Sequence, residues 1–158
     1  IEPYVNDKIS IKWPNDVRLG GKKLAGILIE TDSAVDNLIC AVVGIGINLD
    51  LDVSRYPEIS STATSIRSKS VGEMDSNIIM RSILENLDRL YKEVKMGRSL
   101  TNQWANYVDT LGQHVLVRRG SMVFQGLARE VDKHGNLTVD LIDGTSIVVA
   151  GGEVTLQG

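Results

Sequence analysis

Several features that would restrict the class of this protein are scarce in its sequence. Among 158 residues there is one cysteine, so no internal disulfide can form, and two histidines without a thiol nearby make no recognisable zinc site. No apolar run approaches the roughly 20 residues of a membrane-spanning helix. The net charge of -3 disfavours a broad nucleic-acid-binding face. We therefore expect a globular cytoplasmic protein, and neither membrane nor nucleic acid as a partner of this segment.

The start of the chain also lacks familiar features. It has no initiating methionine, no basic segment and no long apolar run, so it resembles neither a signal peptide nor a natural start. We expect the chain to begin inside a larger domain. Cys40, the single cysteine, lies in an apolar run and is interpreted as a small buried hydrophobic residue.

Apolar patterns predict a meandering sheet in the first third of the chain. Residues 8–13 alternate polar and apolar side chains, which is typical of a half-buried strand. Gly20 and Gly21 predict a tight hairpin between the next two strands. Residues 38–48 are almost continuously apolar, as in a central strand covered on both faces. Residues 50–70 are polar and irregular, and predict a loop.

Helical patterns follow this loop. Residues 70–73 have the spacing of a capping box, and apolar residues then recur every three or four positions as far as Val94. A short second helix over residues 100–107 would bury Trp104 and Tyr107. The first domain is therefore expected to combine a sheet with helices.

Short strands dominate the end of the chain. About five apolar segments, broken by glycine-containing turns, predict a small β-barrel of SH3 type. We place the domain boundary near residue 109, which gives domains 1–108 and 109–158. His114 and His134 fall in the second domain and are expected to be surface or turn residues.

Three motifs carry more charge and glycine than strands of a core usually do. They are residues 12–16 (KWPND), 23–30 (KLAGILIE) and 44–49 (GIGINL), followed by ATSI at 63–66. Their order and spacing resemble the signature of biotin protein ligases, and the resemblance runs through essentially the whole chain. It implies an α+β fold: a partial mixed sheet like that of class II aminoacyl-tRNA synthetases, with flanking helices, and then the SH3-like barrel.

The resemblance also implies an activity. Such enzymes join biotin to ATP, release pyrophosphate, and transfer biotin from biotinyl-5′-AMP to a lysine of a carrier protein. Biotin, ATP and Mg²⁺ are therefore the expected small molecules, and a biotin carboxyl carrier protein domain is the expected partner. A homodimer is also compatible with the resemblance.

Two motif residues are candidates for catalysis. Lys23 matches the family lysine whose ammonium lies between the biotin carboxylate and the α-phosphate, where one such donor stabilises charge by about 3 kcal/mol. Gly26 would let biotin come close. Asp16 matches the aspartate near the adenylate, where it would orient the incoming amine or help bind Mg²⁺. The simpler alternatives are a solvated hairpin lysine and a turn-forming aspartate.

Three further residues are candidates for binding ATP. Lys12 alternates with Ile11 and Trp13 along its strand and would face the phosphates or the carrier, whereas Trp13 is expected to be a core or wall residue. Asn48 can offer both donor and acceptor to the adenine edge, or it simply ends its strand. Ala63 would line the adenine side, although loop structure alone explains it nearly as well.

The sequence departs from the family in one respect. The family's Gly/Arg-rich segment, which folds over biotin and the phosphates, lies before the position that matches Ile1. The chain alone is therefore expected to have negligible adenylation activity, to need the N-terminal part of the catalytic domain as a partner, and to expose a sheet edge prone to aggregation. A lipoate–protein ligase and a non-catalytic carrier-docking module remain as alternatives.

Overall fold

The computed structural model describes residues 1–34, 37–70 and 75–157. The chain folds into two compact units. Unit 1 comprises Ile1–Ser10 and Asn15–Met74, and unit 2 comprises Ile11–Pro14 and Asp75–Gly158. The protein is α+β, with two antiparallel sheets. Parallel pairing occurs in the described residues only as isolated bridges, so the mixed sheet implied by the resemblance is replaced here by antiparallel ladders.

Unit 1 contains a four-stranded sheet whose strands follow chain order, except that Ile11 and Lys12 at the end of its first strand belong to unit 2. The strands are β1 (Ile9–Lys12), β2 (Asp16–Leu19), β3 (Lys22–Ala34) and β4 (Asn37–Ile47). Leu19 pairs with Lys22, and Gly20 and Gly21 both take positive φ between them. The predicted tight hairpin is confirmed, because only glycine adopts two successive left-handed conformations at little cost.

The predicted burial of residues 38–48 is wrong for residues 40–46, which are exposed. β4 is the last strand of its sheet, and the side chains from Cys40 to Ile45 are exposed. Cys40 is therefore exposed as well, not the buried residue that the apolar run suggested. The physical reason is that a strand's two faces are buried only when other elements pack on them. In the described part of the chain, β4 contacts mainly β3, its neighbour within the sheet.

The polar segment after β4 is a loop, as predicted. It contains one short 3-10 helix, Val53–Arg55, and returns to the start of the chain. There Ser70 forms an isolated antiparallel β-bridge with Val5, and the Lys69 Nζ lies 2.8 Å from the Asp7 Oδ2. The capping-box prediction falls largely on residues 71–74, which lie outside the described residues. The described helix, α1 (Ser76–Lys95), begins after Asp75, whose side chain accepts a hydrogen bond from the Asn77 N–H.

Unit 2 contains α1, a short α2 (Thr101–Ala105) and a five-stranded sheet in the order β8-β7-β6-β5-β9. The strands are β5 (His114–Arg119), β6 (Met122–Val131), β7 (Leu137–Leu141), β8 (Ser146–Val149) and β9 (Glu153–Leu156). In the described residues β8 and β9 form the two outer strands, and no ladder joins them into a closed barrel. No described helix is long and apolar enough to span a membrane.

The core of unit 2 includes Trp13, a residue near the start of the chain. Trp13 is 2% exposed and packs in a cluster with buried residues of the five-stranded sheet, so its prediction as a core residue is confirmed. Trp104 packs against the same cluster but is only half-buried, so its predicted burial is confirmed in part. Tyr107 is 38% exposed, so its predicted burial is wrong, and it lies beyond the end of α2 at Ala105.

Candidate active site

Lys23 and Asp16 form an ion pair on the β2–β3 hairpin. The Lys23 Nζ lies 2.5 Å from the Asp16 Oδ1, and the two side chains are 52% and 25% exposed. A register shift between Val17 and Arg18 interrupts the ladder between them. Such a bulge re-aims side chains, and here the ammonium and the carboxylate share one open surface where a ligand can reach both.

Gly26 borders this ion pair. It is the partner of Asp16 in the ladder, and a Cβ built on it would lie 3.6 Å from the Asp16 Oδ1 and 3.6 Å from the Lys23 Nζ. These are ordinary van der Waals distances. The protein itself therefore tolerates a methyl group at position 26, and the glycine leaves that space beside the two charges open.

The backbone of Lys23 is held from one side by the loop after β4. The Lys23 N–H donates to the Thr62 carbonyl at 2.7 Å, and the Thr64 N–H donates to the Lys23 carbonyl at 2.9 Å. Together these bonds make a parallel bridge between Lys23 and the buried Ala63. The Lys22 Nζ adds a bond of 2.9 Å to the Ser60 carbonyl. The loop thus fixes where the Lys23 side chain starts.

Asn48 is joined to the same loop and to β3. Its N–H donates to the Leu24 carbonyl at 2.9 Å, and its Nδ2 donates to the Thr64 carbonyl at 3.1 Å. The Thr64 carbonyl therefore fixes the orientation of the Asn48 side-chain amide. In this orientation the Asn48 Oδ1 can accept a hydrogen bond from a ligand. Thr64 and Ser65 are buried and belong to a hydrogen-bonded turn with Ser68.

Asn15 makes a contribution that the sequence analysis missed. Its Nδ2 donates to the Ile27 carbonyl at 2.7 Å, and the Ile27 N–H donates back to the Asn15 carbonyl at 3.1 Å. These two bonds extend the β2–β3 ladder by one position and fix the backbone next to Asp16. The sequence offered only a turn-favouring asparagine after proline as a signal.

The structure brings most of the predicted site residues into one unit. Asp16, Lys23, Gly26, Asn48 and Ala63 all belong to unit 1, where the bonds described above connect them. Lys12 is half-buried on the segment Ile11–Pro14, which belongs to unit 2.

The two histidines belong to unit 2. His114 and His134 are exposed, as predicted. Within the described ranges no group of three or more His, Cys, Asp or Glu side chains is arranged to hold a metal ion. The site thus offers one carboxylate, one paired ammonium and a set of oriented backbone and amide groups.

Both ends of the chain match known family models. Residues 3–48 match the Biotin/lipoate A/B protein ligase family, and residues 110–156 match the Biotin protein ligase C terminal domain. The chain belongs to the biotin protein ligase family. The first match contains Lys12, Asp16, Lys23, Gly26 and Asn48, so these candidate residues fall inside the ligase region.

Curated relatives in this family come from several bacteria. The chain is 33% identical to the "Biotin--[acetyl-CoA-carboxylase] ligase" of Mycobacterium tuberculosis, over 91% of the chain and 52% of the relative. It is 30% identical to the "Bifunctional ligase/repressor BirA" of Bacillus spizizenii, over 91% of the chain and 45% of the relative. The chain spans about half the length of the curated relatives it matches.

Solved structures of biotin protein ligases have the same fold. The biotin protein ligase of Aquifex aeolicus in complex with biotin and ATP aligns with a TM-score of 0.74 and 25% identity, covering 94% of this chain and 62% of that one. A second structure of the Aquifex aeolicus enzyme aligns with a TM-score of 0.78 and 24% identity, covering 96% and 65%.

Proposed function

We propose that this chain carries the adenylate-forming site of a biotin–protein ligase. The complete enzyme would join biotin to ATP and transfer biotin to a lysine of a biotin carboxyl carrier protein. The Lys23–Asp16 ion pair beside Gly26 is the observation that carries this proposal. Membership of the biotin protein ligase family supports it.

In the first step, a carboxylate oxygen of biotin attacks the α-phosphorus of ATP. The bond from the α-phosphorus to the bridging oxygen breaks, and pyrophosphate leaves with that electron pair, which gives biotinyl-5′-AMP. Two anions must meet for this to happen, and the Lys23 ammonium reduces their repulsion. The open space at Gly26 lets the carboxylate approach, and Asp16 holds the ammonium in place until the substrates arrive.

In the second step, the carrier lysine amine attacks the acyl carbon of biotinyl-5′-AMP. The bond from that carbon to the AMP oxygen breaks, AMP leaves, and the amine loses a proton as the amide forms. We assign Asp16 to orienting this amine, because its carboxylate lies beside Gly26 on the ligand side of the hairpin. A partly exposed carboxylate is reachable by a side chain from another protein.

The adenine would lie against Asn48 and Ala63. Because the Thr64 carbonyl accepts a hydrogen bond from the Asn48 Nδ2, the Asn48 Oδ1 can accept one from the adenine amino group. Guanine presents a carbonyl oxygen at the corresponding position and would be disfavoured. Lys12 would contact the phosphates or the carrier.

Asp16 suits a magnesium ion that is held partly by phosphate better than a metal ion whose ligands all come from the protein. Mg²⁺ usually takes one or two carboxylates and completes its shell with phosphate oxygens and water. One carboxylate without a wider cluster among the described residues agrees with that donor set. When bound, Mg²⁺ would neutralise phosphate charge.

The fold-level proposals follow from the same family. We assign residues 1–108 to a class II synthetase-like catalytic domain and residues 109–158 to an SH3-like C-terminal domain. The match of residues 110–156 to the C-terminal domain of biotin protein ligases supports the second assignment.

A lipoate–protein ligase is the second candidate. The family matched by residues 3–48 includes lipoate ligases, so that match alone does not separate the two substrates. The C-terminal domain match favours biotin. Competition between biotin and lipoate for the same site would decide between them.

The test is biotin-dependent release of pyrophosphate. The chain is fused behind the residues of the Aquifex aeolicus ligase that precede its matched region, since the chain alone is expected to release very little. Lys23→Ala should slow release about 100- to 1,000-fold, the usual effect of removing one preorganised donor. Lys8→Ala, at an exposed lysine of unit 1, is the matched control and should leave the rate unchanged.

Equal rates for the Lys23→Ala variant and the unsubstituted fusion would refute the catalytic role of Lys23. If carrier binding persists while no adenylate forms in any variant, the chain is a docking module instead.

A further inference from the structure

Trp13 has a place in the fold that the proposed chemistry does not use. It lies within the KWPND motif, next to Lys12, yet its side chain is buried in the core of unit 2. A polar indole N–H in such a core needs a partner. Its partner is the Gly135 carbonyl, 2.9 Å away and 122 residues later in the sequence.

Three more hydrogen bonds fix the segment on both sides of Lys12. The Ile11 N–H donates to the Tyr107 carbonyl at 2.7 Å, and the Asp109 N–H donates to the Ile11 carbonyl at 3.0 Å. The Trp13 N–H donates to the Thr110 Oγ1 at 2.9 Å, and Thr110 is fully buried.

These bonds also determine which way Lys12 faces. Ile11 and Trp13 both pack against the core of unit 2. Since side chains alternate along a strand, Lys12 must face the opposite side. The backbone of Lys12 is therefore held by residues of the C-terminal half of the chain, not by its sequence neighbours alone.

The Gly135 carbonyl is itself held by a turn centred on Asp132. The Asp132 Oδ1 accepts hydrogen bonds from the His134 N–H at 2.7 Å and the Asn136 N–H at 3.0 Å, and its Oδ2 accepts one from the Asn136 Nδ2 at 2.9 Å. The Gly135 N–H donates to the Asp132 carbonyl at 2.9 Å, and Gly135 has a φ of +81°. Both carboxylate oxygens thus serve to shape this turn.

We propose that Asp132 is a positioning residue for Lys12, because it shapes the turn whose Gly135 carbonyl anchors the Trp13 indole next to that lysine. This inference rests on the proposed function only for the role of Lys12 toward the phosphates of ATP. The anchoring itself is a property of unit 2. Removal of the Asp132 carboxylate should therefore loosen Trp13 first and weaken ATP binding as a consequence.

The first measurement is hydrogen exchange at the indole N–H groups. The chain has two tryptophans, Trp13 and Trp104, so an ¹⁵N-labelled sample gives two indole signals, which Trp104→Phe assigns. Asp132→Ala should speed exchange at Trp13 about tenfold by loosening the bond to Gly135. Asp143→Ala is the matched control: Asp143 shapes another turn of unit 2 by accepting bonds from Thr145, and its loss should leave Trp13 unchanged.

The second measurement is a titration with Mg·ATP of the same variants, each fused behind the Aquifex aeolicus residues as in the pyrophosphate test, and it is followed at the backbone amides of Lys12 and Asn48. Asp132→Ala should raise the dissociation constant about fivefold, the effect of roughly one hydrogen bond, and Asp143→Ala should not. Trp13→Phe keeps an aromatic side chain, although a smaller one, and removes the indole donor, so it should raise the dissociation constant at least as much. This second variant keeps the test valid if Asp132→Ala disturbs more than the turn.

Unchanged Trp13 exchange in Asp132→Ala would overturn the proposal. Faster exchange with unchanged ATP affinity would overturn it as well, because the turn would then stabilise unit 2 without positioning Lys12. A different result refutes the proposed function instead: the unsubstituted fusion shows no response to Mg·ATP at Asn48, while Asp132→Ala still speeds Trp13 exchange.

Discussion

The sheets of the two units differ in what covers their apolar side chains. On the β3–β4 hairpin of unit 1, Leu28, Ile29 and Val42 are each about 60% exposed, at 61%, 59% and 61%. In unit 2, four side chains in the core of the five-stranded sheet are fully buried: Val115, Val117, Leu137 and Val139. Similar residue types in similar strands therefore have opposite environments.

The difference lies in how many other residues of the chain pack against each sheet. The sheet of unit 2 contributes to one core, which also includes Trp13 and Val108 from outside its strands. The long β3–β4 hairpin pairs along ten positions but has few neighbours within the described residues to bury either face. Because a two-stranded hairpin is marginally stable alone, its apolar faces are surfaces for another element to cover.

The largest effect is expected from a buried leucine of unit 2. Leu137→Ala should lower the free energy of unfolding by about 2–5 kcal/mol, because it leaves a cavity in a closed core. Leu28→Ala removes the same atoms from an exposed site in unit 1 and should change the free energy of unfolding by no more than about 0.5 kcal/mol. Urea unfolding followed by circular dichroism measures both, and equal losses would contradict the contrast between the sheets.

A pair of glycines tests the same contrast at the backbone. A Cβ at Gly126 would clash with the Asp140 carbonyl oxygen, whereas a Cβ at Gly46 on β4 would meet nothing within 4 Å. Gly126→Ala should therefore destabilise the protein by about 1–3 kcal/mol through overpacking, and Gly46→Ala should not. Thermal unfolding of the two variants is the measurement. A stable Gly126→Ala variant would mean that β6 and β7 separate easily.

Charge on the exposed hairpin should change association more than stability. Ile29 and Val43 are direct partners in the β3–β4 ladder, and both are exposed. The double variant Ile29→Glu/Val43→Lys should lower self-association in sedimentation velocity, while the free energy of unfolding stays within about 1 kcal/mol. Ile142→Lys, at an isolated exposed residue of unit 2, is the control and should leave association unchanged. Equal effects from both would show that the hairpin faces have no special tendency to associate.

The smallest expected effect is on the pH of acid unfolding. Hydrogen bonds from the Thr145 side chain and N–H lower the pKa of Asp143 below its usual 3.8, and bonds from Ser54 do the same for the pKa of Asp52 in unit 1. A carboxyl whose pKa is lower in the folded state stabilises the fold above pH 3.8. That stability is lost as the pH falls through the folded-state value.

Both tryptophans belong to unit 2, so their fluorescence reports the acid unfolding of that unit alone. Asp143→Asn should move this acid transition to higher pH by a few tenths of a unit. Asp52→Asn should leave it in place. A shift from Asp52→Asn would mean that the two units unfold together in acid.

The sequence predicted the parts of the fold that depend on neighbouring residues. Gly20 and Gly21 indicated the hairpin because their conformation is a local property, and the alternation over residues 8–13 indicated β1 for the same reason. The motif around Lys23 and Asp16 pointed to two residues that the hairpin does bring together. Their roles in catalysis stay predictions.

The parts that were wrong, missed or not confirmed depend on distant residues. The burial of Cys40 could not be judged from its apolar neighbours, because burial depends on which element covers a strand. The bond from Trp13 to Gly135 joins residues 122 positions apart, and no local pattern indicates it. The closed barrel was inferred from the number and length of strands, whereas closure depends on whether the outer strands pair.

The two backbone bonds between Lys23 and residues 62 and 64 have a consequence for motion. If the loop swings away from the hairpin, both bonds break in the same event, and the lysine loses the support that fixes its origin. Opening of the loop and release of the Lys23 backbone are then one transition. The amide protons at positions 23 and 64 should therefore exchange with solvent at a common rate.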